Sequence, residues 1–367
     1  MLNDNVPRIP TSVLTGFLGS GKTTVLSHLL THPRMHQTAV LVNEFGEVGI
    51  DDLLLRQLSQ NVVLLKSGCV CCTVGDDLTT ALVDLLARRA AGEIPRFDRT
   101  IIETTGLADP APVLHTFMTN PVMSARFRLA GVITTVDAVN GTCQLDNHAE
   151  SVKQAAVADR LLITKSDLAP ASLRKTLFAR LQRINPTAPI YEIMHGRIDP
   201  DGIMDAGLWN PRTKTIDTQR WLNDRALSER VYTPSDDPNR YGIRDERQVA
   251  GHPEYGPHDK RINTFCVVLD APIQLQAFTD NMEMLIARHG ENLLRIKGIL
   301  NIDGSSTPVV VHGVQRVFHP PVNLPAWPTN DHRSKLVFIT RDLTRNMIEP
   351  HIRTTTASAA PKRILDR

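Results

Sequence analysis

Between Ile9 and about Tyr191, short unbroken apolar runs alternate with stretches in which apolar residues return every three or four positions. The first kind suits strands buried on both faces, and the second suits helices that bury one stripe. The runs predict strands at Ile9 to Thr15, Thr38 to Val42, Val62 to Leu65, Thr100 to Glu103, Gly131 to Val136, Arg160 to Ile163 and Pro189 to Ile193. Helices fall between them, most clearly at Lys22 to Leu30, Asp77 to Arg89 and Leu173 to Ile184. Strand and helix in strict alternation predict an α/β domain with a mostly parallel, doubly wound sheet.

The pattern then changes. From Asp224 to Arg261 the chain is rich in Pro, Gly, Asp and Arg and poor in large aliphatics, which reads as a polar linker or a long ordered loop. A second pattern follows, with strands predicted at Ile262 to Leu269, Leu293 to Ile302, Val309 to Val317 and Lys335 to Ile339. Helices are expected at Ile273 to Ala287 and Arg341 to His351. This order predicts a smaller α+β domain around an antiparallel sheet. The divisions are thus 1–223, 224–261 and 262–353, with a Thr- and Ala-rich tail over 354–367 expected to be frayed or disordered.

Composition narrows the class. With 367 residues, 41% hydrophobic, the chain is long enough for two buried cores. Its 41 basic and 39 acidic residues leave a net charge of +2 with no long run of either sign, which argues against a nucleic-acid partner or a polybasic membrane binder. Met1 to Val6 has no basic leader, and nowhere do eighteen apolar residues run together, so the expected location is cytoplasmic. In that compartment thiols are kept reduced. The crowding of Cys69, Cys71 and Cys72 therefore points to metal or redox chemistry rather than a disulfide scaffold.

The strongest chemical signal is Gly16-Phe17-Leu18-Gly19-Ser20-Gly21-Lys22-Thr23, directly after the first strand. This is the spacing of a phosphate-binding loop, in which backbone N–H groups turn inward around a β-phosphate at a helix N-terminus. Gly16, Gly19, Ser20, Gly21 and Thr24 belong to that nucleotide cradle, Lys22 is placed to bridge the β- and γ-phosphates, and the Thr23 hydroxyl to ligate Mg²⁺. Thr164-Lys165-Ser166-Asp167 follows another strand. The Asp167 carboxylate matches the N1–H and exocyclic amine of guanine, and the stem of Lys165 the base face, which favours GTP over ATP. Helix capping by Ser166 or Asp167 is the alternative there. Ile101-Ile102-Glu103-Thr104-Thr105-Gly106 ends a buried strand. Glu103 is assigned to Mg²⁺ or the attacking water, and the Gly106 N–H to the γ-phosphate.

Asn43 to Asp51 occupies the place of a switch segment and carries Glu44, Glu47 and Asp51 beside two glycines. Next comes Ser67-Gly68-Cys69-Val70-Cys71-Cys72-Thr73. Three thiolates in one short loop suit Zn²⁺, Co²⁺ or Ni²⁺ and leave a fourth position for water, another protein, a histidine or a carboxylate such as Glu47. Inert buried thiols and a redox switch remain alternatives at this point. Cys143 and Cys266 read as packing residues. His252, His258, His312 and His319 lack the dense spacing of a metal site and read as surface or core.

Taken together, Thr15 to Thr24, Asn43 to Glu47, Gly68 to Cys72, Glu103 to Gly106 and Thr164 to Asp167 resemble the CobW and YjiA group of metal-handling P-loop GTPases. Leu294 to Gly298, Ile302 to Gly304 and Gly313 to Arg316 are similar to that group's C-terminal domain, nearest the YjiA-like branch. The resemblance implies a GTPase that binds zinc or a related ion at the thiolate loop and acts as a metallochaperone toward a client metalloprotein, with a possible homodimer. A non-catalytic zinc module that holds GTP as a static ligand is the main alternative, and a small-molecule kinase with a structural zinc loop is a third. Three departures stand out. Thr164 replaces the usual Asn, Val42 stands where some YjiA-like members have an extra acid before the Asn that could serve a metal site, and the segment 224–261 lacks the histidine-rich tract of many relatives.

Overall fold

The computed structural model describes residues 8–42, 63–66, 74–204, 232–234, 241–243, 261–318 and 321–356. The chain divides into two compact units, residues 1–264 and 265–367.

In the first unit, seven strands form one sheet: β1 (Ile9–Gly16), β2 (Thr38–Val42), β3 (Val63–Lys66), β4 (Arg99–Glu103), β5 (Phe127–Asp137), β6 (Arg160–Thr164) and β7 (Ile190–Glu192). Their order across the sheet is β3-β2-β4-β1-β5-β6-β7, and all six pairings are parallel. The connecting helices are α1 (Lys22–Thr31), α2 (Val74–Ala91), α3 (Ala111–Thr119), α4 (Pro121–Arg126), α5 (Gly141–Asn147), α6 (Ala149–Val157), α7 (Ala171–Ile184) and the short α8 (Pro200–Ile203).

Alternation along each strand decides which helices cover which face. Leu14, Val40, Ile101, Ile133 and Leu162 point one way and pack with Val25, Leu26, Leu29 and Leu30 of α1. The intervening residues point the other way, where the Thr134 hydroxyl donates to the Gln154 carbonyl of α6 at 2.9 Å. With both faces covered, the strands need the near-continuous apolar runs that the sequence displays. The strand order reverses between β4 and β5 around β1, so the crevice beyond the carboxyl end of β1 is the place where such sheets bind ligands.

The second unit opens within β10 (Ile262–Leu269), at Phe265, and holds α9 (Leu275–His289), β11 (Arg295–Leu300), β12 (Val309–Val314), β13 (Val317–Phe318), β14 (Val322–Asn323), β15 (Ser334–Arg341) and α10 (Arg345–Arg353). Its sheet runs β10-β15-β11-β12-β13 with β14 on β12, and β11 pairs antiparallel with both β12 and β15. Ile296, Leu300, Val311, Leu336 and Phe338 build its core with Phe278, Met282 and Leu285 of α9 and Ile348 and Ile352 of α10. Arg295, Lys297 and His312 alternate with those residues and so fall on the opposite face, where all three are buried.

Several expectations need correction. The predicted strand Val309 to Val317 is two strands, because Gln315 turns the chain with φ 51° and lets β13 fold back on β12. The last helix starts at Arg345, since Arg341 completes β15 and Asp342 takes φ 58°. The tail is ordered through Thr356: Thr355 is buried, its carbonyl accepts from Gln274 N–H at 2.9 Å, and Thr356 bridges to Ile273. Within the stretch read as a linker or loop, β8 (Tyr232–Pro234) pairs antiparallel with β9 (Tyr241–Ile243). Cys143 is exposed rather than packed. His312 is buried, while His252, His258 and His319 lie outside the described residues. Among the described residues no helix is long and apolar enough to cross a membrane.

Candidate functional site

The loop between β1 and α1 closes on itself. Ser20 N–H donates to the Phe17 carbonyl at 3.1 Å, and Gly19 and Gly21 take φ of 71° and 88°. At Gly16 the requirement for glycine is absolute in steric terms. A Cβ there would lie 2.3 Å from Thr135 Oγ1 and 2.4 Å from Thr135 O, and φ is 145°. Lys22 is buried, and its ammonium donates to the carbonyls of Gly16 at 2.9 Å and Phe17 at 3.3 Å. A cation held inside a curve of glycine-rich backbone is the arrangement that receives phosphate. Thr24 follows on the exposed side of α1.

Beneath the loop runs a set of buried hydroxyls. Thr104 donates to Thr15 Oγ1 at 2.8 Å, Ser20 and Thr135 share a bond of 2.7 Å, and Thr164 donates to the Ser20 carbonyl at 2.7 Å. The first ties the end of β4 to the end of β1 and the other two tie β5 and β6 to the loop, so its shape is set from the strands beneath it rather than by the loop alone. Here the Thr164 departure acquires a physical role. Its hydroxyl reaches the loop backbone directly, and its side chain packs 3.5 Å from where a Gly21 Cβ would lie.

On the other side of β1, Thr23 Oγ1 donates to Glu103 Oε1 at 3.0 Å. Glu103 is buried at the end of β4, in register with Leu14 of β1. A hydroxyl and a carboxylate so placed, beside a buried lysine, are hard oxygen donors that fit Mg²⁺ bound with a nucleotide. The next turn presses on the phosphate loop. A Cβ on Gly106 would stand 2.6 Å from the Leu18 backbone nitrogen, so only glycine allows this approach.

At the far side, Lys165 takes the left-handed conformation, φ 54°, and its ammonium meets Asp137 Oδ2 at 2.7 Å. Burial alone raises the pKa of Asp137. Donors from Lys165, the Asn140 side chain and the Val139 and Asn140 N–H groups outweigh it and hold the carboxyl below its usual range. Asp167 lies 3.9 Å from His195 Nε2. Helix capping does not account for this segment, because α7 begins at Ala171 and the Ser166 hydroxyl returns to the Ile163 carbonyl at 3.0 Å. The turn His195-Gly196 abuts α1, where a Gly196 Cβ would meet Thr24 O at 2.6 Å.

The switch-like segment Asn43 to Asp51, with Glu47, and the thiolate segment with Cys69, Cys71 and Cys72 lie outside the described residues. The strands leading into them are described. β2 and β3 end at Val42 and Lys66, on the same edge of the parallel sheet as Gly16. Among the described residues no group of three His, Cys, Asp or Glu forms a metal cluster.

Residues 10–192 match the model of the CobW/HypB/UreG nucleotide-binding domain, and residues 262–355 match that of the cobalamin synthesis protein cobW C-terminal domain. Zinc chaperone YjiA of Escherichia coli strain K12 is 36% identical over 331 residues, which span 90% of this chain and 93% of that protein. The chain belongs to the CobW family. Another relative, zinc chaperone CobW of a Sinorhizobium species, is 29% identical over 84% of this chain and 86% of its own. The crystal structure of Zn(II)-bound YjiA GTPase from E. coli covers 96% of this chain and all of its own, with a TM-score of 0.67 and 31% identity. For a CobW-family chain the P-loop GTPase fold and the separate C-terminal antiparallel unit are therefore the expected pair, and both are present.

Sequence reading missed some residues that shape this family's site. Asp137 was legible as a carboxylate at the end of a long apolar run, the same signal that marked Glu103. Gln154 was legible as a lone amide among Val152, Ala155 and Ala156 on the buried stripe of α6. Thr15, Thr104 and Thr135 offered no signal, since threonine is ordinary in a strand.

Proposed function

We propose that this protein is a zinc-handling GTPase that couples GTP binding and hydrolysis to loading or delivery of a transition metal to a client protein. The observation that carries the GTPase half is the contact between Thr23 and Glu103 beside buried Lys22, with the glycine loop folded over β1. In this reading the loop N–H groups of Gly16 to Lys22 and the Lys22 ammonium hold the β- and γ-phosphates. Thr23 and Glu103 are the residues that would hold Mg²⁺, which when bound supplies charge neutralisation at the transferring phosphoryl group. Gly106 N–H faces the γ-phosphate, Asp167 reads the guanine edge and Lys165 lies along the base. Water attacks the γ-phosphorus, the bond to the bridging oxygen breaks, and GDP and phosphate leave.

The cargo ion is assigned to Cys69, Cys71 and Cys72, with Glu47 as a candidate fourth ligand. Zinc is favoured by the names of the relatives, and Co²⁺ and Ni²⁺ suit the same donors. A γ-phosphate that orders Asn43 to Asp51 would tighten the neighbouring thiolate loop by a coupling of about 1–3 kcal/mol, and zinc would tighten GTP equally. Multiple-turnover phosphate release that vanishes in Lys22→Ala tests catalysis; bound GTP with no turnover would reduce it to a static ligand. Zinc stoichiometry in the Cys69, Cys71 and Cys72 triple Ser variant tests the metal site, and unchanged stoichiometry would move the ion elsewhere.

Exposed apolar side chains mark the same edge of the sheet. Leu18, Leu107, Val139, Leu168 and Met194 all lie in loops that leave the carboxyl ends of strands, and each is at least 40% exposed. Such a rim supports a homodimer formed through the nucleotide face.

A further inference from the structure

Resting on the GTPase reading above, we infer that Gln154 is the positioning residue that sets the γ-phosphate-facing turn Thr105 to Ala108 against the phosphate loop. Gln154 sits on α6, 1% exposed, on the face turned toward the sheet. Its Nε2 donates to the Gly106 carbonyl at 3.2 Å and to the Ala108 carbonyl at 3.0 Å. One amide thus holds the carbonyls of Gly106 and Ala108, directly after the Gly106 N–H that is proposed to meet the third phosphate. The turn has its own bond, from Ala108 N–H to the Thr105 carbonyl at 3.1 Å, which makes it a small rigid body that Gln154 can aim.

The geometry gives that aim a direction. Gly106 is clasped between two neighbours. On one side its Cα faces the Leu18 backbone at a distance that leaves no room for a methyl group, and on the other its carbonyl is held by Gln154. Fixing that carbonyl fixes the plane of the Gly106–Leu107 peptide, and the Thr105–Gly106 peptide that carries the Gly106 N–H is hinged to it at the Gly106 Cα, which the Leu18 backbone crowds. The hold is extended at the next residue pair. Lys153 Nζ meets Asp109 Oδ2 at 3.0 Å, and Asp109 Oδ1 accepts from Ala111 N–H at 3.0 Å at the start of α3. The same helical segment also grips the phosphate loop from outside. Gln144 of α5 donates to the Leu18 carbonyl at 3.3 Å, and His148, at the N-cap of α6, stacks on Phe17 with centroids 4.5 Å apart.

The α5–α6 segment therefore touches both partners of the γ-phosphate, and Gln154 is its contact with the sensing turn. The glutamine uses its nitrogen twice, while its Oε1, also buried, has no hydrogen-bond partner among the described residues. GDP has no third phosphate to sense. Gln154 accordingly governs the preference between GTP and GDP and the rate of hydrolysis, and leaves GDP binding itself alone.

The test compares full-length wild type with Gln154→Met, which keeps the chain length and loses both donors. Affinities for GDP and for a non-hydrolysable GTP analogue are titrated with fluorescent nucleotides, beside phosphate release under multiple turnover. The expected result is a GDP affinity within about twofold of wild type, with affinity for the analogue and kcat each reduced about tenfold, the size of one or two lost neutral hydrogen bonds. Gln154→Glu, which presents only acceptors to the two carbonyls when ionised, should move the same ratio the same way. Where Gln154→Met lowers the unfolding midpoint, Lys153→Met at the partly exposed neighbouring contact carries the test, with a smaller shift in the same direction. Wild-type discrimination retained in these variants overturns the assignment, as does an equal loss of GDP and analogue affinity, which is the mark of a scaffold. A wild-type protein that binds neither nucleotide would instead overturn the GTPase reading and the inference together.

Discussion

Asp137 and Gly106 show how much a single position decides. Asp137 is buried, and its charged form is stabilised in the fold by Lys165, Asn140 and two backbone N–H groups. A carboxyl depressed in the native state adds stability that is full above its unfolded pKa, near 4, and is lost as pH falls through the lower native value. The first unit should therefore unfold at lower temperature between pH 4 and pH 2 than at pH 6. Asp137→Asn should flatten that slope and cost about 1–3 kcal/mol at neutral pH, read from denaturant titrations at several pH values. Gly106 is limited by space instead. Gly106→Ala puts a methyl group 2.6 Å from a backbone nitrogen, which cannot retreat as a side chain end can. The turn must shift, and phosphate release should fall by at least tenfold while GDP affinity is kept, since the guanine contacts proposed for Lys165 and Asp167 lie elsewhere; GDP titration separates the two effects.

At the scale of elements, β6 is both a core strand and a support for the phosphate loop. Thr164 bonds the Ser20 and Val136 carbonyls at 2.7 and 3.3 Å. Thr164→Val keeps the shape and strands those acceptors, at an expected cost of about 1–3 kcal/mol in unfolding free energy and a weaker grip on both nucleotides alike. All seven strands of the parallel sheet were visible beforehand as apolar runs, since burial on both faces leaves room for little else. The ends were less visible. β5 reaches back to Phe127 and β15 forward to Arg341, beyond their most apolar stretches, because pairing with a neighbour extends a strand past the point where hydrophobicity stops. The break at Gln315 and the late start of α10 were hidden for a related reason. Both turn on residues with φ above 50° that are not glycine, and side-chain polarity carries no sign of that. The phosphate loop was fully legible because glycine spacing encodes backbone shape directly. Gln154 showed only as an amide on an apolar stripe, and its role was hidden because its work is done across the fold, 48 residues from Gly106 in sequence.

For the whole molecule, the apolar rim of Leu18, Leu107, Val139, Leu168 and Met194 makes a claim about assembly. If two copies meet through it, light scattering should report a dimer with the GTP analogue and a monomer with GDP. Leu107→Glu should shift the analogue-bound sample to monomer without changing the fold by circular dichroism. Two monomers in wild type under both nucleotides would remove the rim as a self-contact. The order of strands carries a last consequence. From β1 the sheet extends through β4 and β2 to β3 on one flank and through β5 to β6 on the other. At about 4.8 Å per step, the strand that leads to the cysteines and the strand that leads to Asp167 stand roughly 24 Å apart with the phosphate cradle between them. On the proposed assignments, choice of base and choice of metal would then be separate dials on one instrument: either would be retuned by substitution at its own flank, and only the middle, where the phosphates would sit, would hear both.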